Sequence, residues 1–296
     1  MELVEIRDAE QRQQMLELLR EGFPNVSFDW EVAFKAPLGR SGYGFLMIAD
    51  GAPQGGILSF ESMQSLSGRE RRVVNLSSWY IRPEYRRLAV RMMRTVSSDP
   101  DTIYTGVSPI RSVQTICLRA GFRYLSHGSI ASIPLLNDFT AGRGIKVGPF
   151  DPDAVGPEHR RWMADHANPR HIALLIRQGE HAVPALWRRG LKVKEFPAAR
   201  LIFTSDYALL RAALPAIHAH MLLRHGTVGL YLPRIAPLEG LRSVRKSGKG
   251  PPIIVKGDIA DEDVNLLYSE LFYLPLGQRS GAEGAPLKPA GIRAEP

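Results

Sequence analysis

Four arginines stand within nine residues: Arg86, Arg87, Arg91 and Arg94. They follow an apolar run, Trp79-Tyr80-Ile81, and a Pro83-Glu84-Tyr85 turn, and they belong to a stretch, LAVRMMRTV, whose apolar residues recur at helical spacing. Where a strand turns into a helix start, backbone N–H groups and the positive end of the peptide dipoles converge, and guanidinium groups add forked donors. That combination suits a phosphate. The same residues also make an ordinary solvated basic helix face, and both readings stand at this stage. The turn holds no glycine, but a first helical turn needs only φ of about −60°, which any L-residue adopts. Its absence therefore bears on clearance, not on backbone angle.

Other residue types with chemical potential are scattered. Cys117 is the single cysteine, which excludes an internal disulfide framework and a cysteine-rich zinc site. As a nucleophile it would need a paired base, and His127 is the only histidine near it in sequence; alternatively it shares an apolar helix face with Val113 and Ile116. Glu61 closes an apolar run and reads either as a base or as a strand-end charge, while Glu84 sits where a carboxylate faces a helix start. Phe28-Asp29-Trp30 offers aromatic stacking to an acceptor, or a plug for the core. His166 and His171 are five apart, and His218 and His220 face different sides of a helix, so neither set has the spacing of a helical metal site. No metal is expected.

The elements that must carry these residues alternate in type. AEQRQQMLELLREG predicts a helix, and GFLMIAD-GAPQGGILSF predicts two strands joined at Asp50-Gly51. RRVVNLSSWYI predicts a third strand before the arginine turn. After it, LAVRMMRTVSS reads as helix, TIYTGVS as strand, RSVQTICLRAGF as a helix closed by Gly121, and RYLSHGSIASIPLL as strand. This order describes a mixed α/β sheet with helices packed on it. Residues 137–157, rich in Gly, Pro and Asp, read as a linker. Beyond them the grammar repeats: a helix at EHRRWMADHA, strands at HIALLIRQG, HAVPALWRR and AARLIFTS, the long helix YALLRAALPAIHAHMLLRHG, kinked or begun at Pro215, and the strand TVGLYLPR. The expected division is a domain over 1–136, the linker 137–157, a second domain over 158–276, and a disordered tail over 277–296.

The first third resembles the GNAT family of acyl-CoA-dependent acyltransferases. The resemblance rests on Tyr80-Ile81-Arg82-Pro83-Glu84-Tyr85-Arg86, the way many members enter their pyrophosphate loop, and on Gly121-Phe122 between a helix and a strand. It covers residues 1–136 and, more loosely, the second half as a degenerate copy. It implies the GNAT fold and acetyl-CoA or another acyl-CoA as co-substrate. In the family loop, Arg86 takes the leading basic position, while Ala89 and Arg91 stand where glycines are usual. The cofactor-binding residues implied are Ser78, Trp79, Tyr80 and Ile81 on the strand and Arg86, Arg87, Leu88, Ala89, Val90 and Arg91 at the helix start. Backbone groups of Ser77, Ser78 and Trp79 would pair with the pantetheine arm. Cys117 replaces the usual tyrosine acid and Ile110 a usual asparagine, which leaves Cys117 as the family-position acid and Glu61 as the base on a cleft-lining strand. The implied activity is acyl transfer to an amine or hydroxyl of a small-molecule, sugar or peptide acceptor. The alternative is a GNAT-like binding or scaffold protein without catalysis.

Composition bounds the rest. The chain has 296 residues, 44% hydrophobic and 23% charged, enough for one large or two modest cores. Lys and Arg number 38 against 30 Asp and Glu, a net charge of +8 that attracts anions. A nucleic-acid role would rest on that charge and on LRSVRKSGKG alone, without an aromatic stacking platform, so none is expected. No apolar run approaches the roughly 20 residues that cross a bilayer, and the expected location is cytoplasmic.

Overall fold

The computed structural model describes residues 1–26, 28–35, 42–66, 69–107, 109–126, 128–134, 144–193, 195–238, 241, 244–247 and 252–274. His127, half of the basic loop and the tail 277–296 lie outside them. The first half contains β1 (Glu2–Glu5), α1 (Ala9–Gly22), β2 (Gly44–Ala49), β3 (Ala52–Leu66), β4 (Arg69–Ile81), α2 (Ala89–Val96), β5 (Thr102–Val107), α3 (Arg111–Arg119), β6 (Arg123–Ser126) and β7 (Ser129–Ser132). The second contains β8 (Ile145–Pro149), α4 (Pro157–Asp165), β9 (His171–Gln178), β10 (His181–Val193), β11 (Phe196–Thr204), α5 (Tyr207–His225), β12 (Gly229–Pro233), β13 (Val244–Ser247), β14 (Ile253–Lys256) and α6 (Glu270–Tyr273).

Local chemistry explains the boundaries that matter for the site. The Asp8 side chain accepts from the Gln11 backbone N–H at 2.8 Å and the Gln11 side chain returns the favour, a capping box that starts α1. Met15, Leu16, Leu18 and Leu19 then bury one face of it. Asp50 and Gly51 have φ of 53° and 78°, so a two-residue turn with the twist that suits a hairpin joins β2 to β3.

Two mixed sheets result, with strand orders β1-β2-β3-β4-β5-β14-β6 and β13-β7-β12-β11-β10-β9-β8. Written from the other end, the second is β8-β9-β10-β11-β12-β7-β13, so the two correspond position by position. In each, four antiparallel strands are followed by a parallel one, β5 beside β4 and β12 beside β11, reached through a crossover helix, α2 or α5. The sixth position of each sheet is supplied by the other half. Strand β7 leaves the first half to pair with β12, and β14 returns from the second to lie between β5 and β6.

This exchange corrects the division expected from sequence. Neither 1–136 nor 158–276 completes a sheet by itself, and the stretch assigned to a linker contains β8, which pairs along β9. RYLSHGSIASIPLL holds two strands, not one. They part at Ser126, whose hydroxyl donates to Gly128 O at 2.6 Å, and their alternation of apolar and small residues satisfies either sheet equally. Strand β1 was not anticipated, and α5 runs through Pro215 without ending there. The core follows the exchange: one buried cluster joins Val73, Ile103, Ile253 and Val255 to Trp187, Leu210 and Ile217.

Candidate functional site

Strand β4 leaves its parallel neighbour part way along. Pairing with β5 runs from Arg72 opposite Thr102 to Leu76 opposite Gly106, whereas β4 continues to Ile81. At the same place its register with β3 slips, from Leu58 opposite Ser77 to Gly56 opposite Tyr80, and Ser78 takes φ of 47°. A left-handed serine costs about 1–3 kcal/mol and persists only where its surroundings enforce it. The bulge takes Ser78 and Trp79 out of register with β3 at the opening left where the pairing of β4 with β5 has ended. Close packing fixes it: a Cβ on Gly56 would lie 2.4 Å from Met15 Sδ, so α1 presses on β3 next to the slip.

Past the bulge, Arg82 anchors the turn. Its guanidinium forks onto Glu21 at 2.9 and 3.1 Å and also donates to Gln54 Oε1 at 3.1 Å. The Tyr80 hydroxyl donates to the same Glu21 at 2.8 Å. Arg82 holds the Glu21 carboxyl below its usual range, and burial together with Glu21 pushes the Tyr80 phenol up to about 12. Residues Pro83–Leu88 then form a 3-10 turn that runs into α2, with Tyr85 N–H bonded to Arg82 O and Ala89 N–H to Arg86 O. No side chain caps this turn or α2. Arg86, Arg87 and Arg91 are exposed around it, whereas Leu88 and Val90 are half-buried and Ala89 is buried. Arg94 is committed elsewhere, since it donates to Arg119 O at 3.0 Å and ties α2 to α3.

The equivalent helix of the second sheet starts differently. The Asp206 carboxylate accepts from Leu209 N–H at 2.9 Å and meets His181 Nε2 at 3.2 Å, so a resident negative charge occupies the α5 N-terminus. The second sheet also opens, after Arg200 opposite Tyr231, but Leu266 donates its N–H to Ile202 O there and Val264 and Leu266 line the gap.

From that gap the chain runs on to the first opening and delivers a carboxylate that sequence reasoning missed. Glu270, buried at 5% exposure, accepts a hydrogen bond from Ser77 Oγ, and its N–H donates to Asn75 Oδ1 at 3.1 Å. Asn75 in turn donates to Thr105 Oγ1 at 3.1 Å, and Ser77 and Ser78 hydroxyls lie 3.1 Å apart. One network thus joins β4, β5 and α6 where the strands part. Nothing in the local pattern around Glu270 signals this, because its partners lie almost two hundred positions upstream.

The two residues expected to be catalytic are placed otherwise. Cys117 is 2% exposed in an apolar cluster with Met92, Met93 and Phe122, and burial pushes its thiol up to about 12. It is a packing residue, as a thiol on the inner face of an amphipathic helix must be. Glu61 lies on β3, one strand away from the opening, with its carboxylate gripped by Arg72 at 2.7 and 3.2 Å. That pairing fits a structural ion pair. Trp79 is half-buried and points its indole N–H at Met92 Sδ, 3.4 Å away, so it braces α2 against β4. Trp30 is buried against Phe23 and Phe28, a core plug begun by an Asp29 cap. His218 meets Ser132 Oγ at 2.7 Å, and His166 and His171 meet backbone carbonyls, so these imidazoles brace strands and turns.

No family model and no curated protein matches the chain. Solved structures do. A GCN5-related N-acetyltransferase from Anabaena variabilis superposes with a TM-score of 0.57 at 13% identity, over 86% of this chain and 72% of that one. One from Kribbella flavida gives 0.54 at 14%, over 86% and 71%. A probable N-acyltransferase from Enterococcus faecalis gives 0.52 at 11%, over 86% and 71%. At such identities the likeness establishes the fold: the chain has the GNAT acyltransferase fold, built on two mixed sheets.

Proposed function

We propose that the protein is an acyl-CoA-dependent acyltransferase in which the first sheet binds acetyl-CoA or another acyl-CoA at the β4/β5 opening, and the second is a degenerate copy of the same domain. The observation that carries this reading is the bulge at Ser78, which frees strand backbone beside an uncapped, arginine-rich helix start. Pantetheine would run along Ser78 to Ile81, and its amides would replace the missing strand partner. Arg86, Arg87 and Arg91 would meet phosphates, with the residual N–H groups of the 83–91 turn beneath them.

Transfer to an amine requires removal of a proton as the nitrogen attacks the thioester carbonyl, and stabilisation of the oxygen that becomes negative. Glu270 supplies the base in this scheme. It receives the proton while Ser77 holds it in place as the C–N bond forms; collapse of the tetrahedral intermediate then breaks the C–S bond, and the coenzyme A thiolate leaves and takes up a proton from protonated Glu270 or water. A backbone N–H of the bulge stabilises the oxygen. Thiol release from acetyl-CoA with a panel of amine and hydroxyl acceptors tests the scheme: wild-type turnover that Glu270→Gln abolishes supports it, and wild-type silence across the panel removes it.

A second reading is favoured by two observations. Tyr85 and Ala89 N–H groups are spent in 3-10 bonds, and no tyrosine stands in place of Cys117. It holds that the protein binds acyl-CoA without turnover, and binding without thiol release would select it.

A further inference from the structure

Arg188 and Arg200 sit directly opposite each other on β10 and β11, side chains on one face of the second sheet. Two cations brought together by the backbone ladder repel, and their partial burial makes that repulsion and the loss of hydration costly. The strain is visible in their acidities. Desolvation, with each other's charge added for Arg188, pulls Arg188 down to about 10 and Arg200 below its ordinary value, and Arg170 adds to the repulsion on Arg188. Arg188 donates to Leu271 O of α6. Arg200 Nε is shut off from solvent and has no hydrogen-bond partner, and none of the ion pairs among the described residues includes Arg200. The Tyr231 ring, 5.9 Å from its guanidinium carbon, softens the charge without neutralising it.

Arg200 does not face a closed core. Arg200 lines a crevice with Val107, Ser129, Pro233, Leu266 and Leu271. Val107 ends β5, one wall of the first opening, and Leu271 is the neighbour of Glu270 on α6, so the crevice and the proposed base share that short helix. A planar anion that accepts two parallel N–H bonds is the partner such a guanidinium is built for. We propose that Arg200, supported by Arg188, forms a carboxylate-binding subsite, and that it holds a carboxylate of the acyl acceptor with the acceptor's nucleophile toward Glu270. Assignment to the acceptor rests on the acyltransfer reading; the carboxylate site itself does not.

The test uses the full chain and simple anions. Thermal unfolding is followed with increasing sodium acetate, sodium phosphate or sodium chloride at matched ionic strength, for wild type, Arg200→Met and Arg200→Lys. Wild type is expected to gain a saturable stabilisation from acetate beyond chloride, because a ligand that binds only the folded state raises the midpoint. Its apparent affinity should fall by about tenfold or more in Arg200→Met and be partly kept in Arg200→Lys. Without acetate, Arg200→Met should unfold no earlier than wild type, since it removes a half-buried charge that has no ion-pair partner among the described residues. Equal effects of acetate and chloride, or an acetate effect that survives Arg200→Met, would overturn the subsite; stabilisation by phosphate alone would overturn its carboxylate chemistry. A parallel calorimetric titration of wild type with coenzyme A separates the two ideas. Arg200-dependent acetate binding without coenzyme A binding keeps the subsite and removes the acyltransfer reading, whereas the reverse removes only the subsite.

Discussion

Asn75 and Ser77 grip the two ends of one residue, the N–H and the carboxylate of Glu270, and on that grip rests its choice as the base of the proposed scheme. Glu270→Gln keeps the shape and loses the proton acceptor. It should lower turnover by about 10²–10⁴-fold while coenzyme A affinity stays within about twofold, measured by thiol release beside calorimetry. Cys117 makes the opposite prediction. A thiol raised to about 12 by burial stays protonated at neutral pH, so it should resist alkylation until the protein unfolds, and Cys117→Ala should leave turnover intact. Residue chemistry was partly legible in sequence. That Arg86, Arg87 and Arg91 cluster at one helix start could be read because they are neighbours in sequence. Glu270 and the Arg188–Arg200 pair could not, because a contact made by chain return leaves no local spacing to find.

Elements of like position have been tuned apart. Helix α2 begins without a side-chain cap among exposed arginines, whereas α5 begins on Asp206. Replacing Arg86 and Arg91 by alanine together should weaken coenzyme A binding by a few kcal/mol at most and flatten its salt dependence, which titrations at two ionic strengths would check. Unchanged affinity would place both side chains on a solvated face. Asp206→Ala should cost about 1 kcal/mol of stability through the lost cap and leave coenzyme A affinity unaltered. Most helices and the first hairpin were readable from turns and periodicity, as with Asp50-Gly51 and Gly121, whereas the Asp8 capping box emerged only in the structure. The splitting of residues 123–132 between two sheets was not, since register and partner are decided by the whole fold.

At the scale of the molecule, the exchanged strands β7 and β14 couple the halves. Ile254 is 2% exposed on β14, and Ile254→Ala should cost about 2–5 kcal/mol. Because β14 completes the first sheet while tethered to the second, unfolding in urea should remain a single transition by near-ultraviolet and far-ultraviolet signals. Acid should act through the half-buried His171 imidazole. Desolvation lowers His171 to about 4 from 6.5, so the unfolded chain binds its proton first, and stability should fall as pH drops from about 6.5 to about 4. His171→Gln should flatten that slope. The second opening, lined by Val264 and Leu266, leads to the measurement that bears most directly on the account: calorimetric titration of the intact protein with coenzyme A. One molecule per chain, bound at the first sheet and weakened by loss of Arg86 and Arg91, is the predicted result; no heat of binding at millimolar ligand, or two equivalent sites, would contradict it.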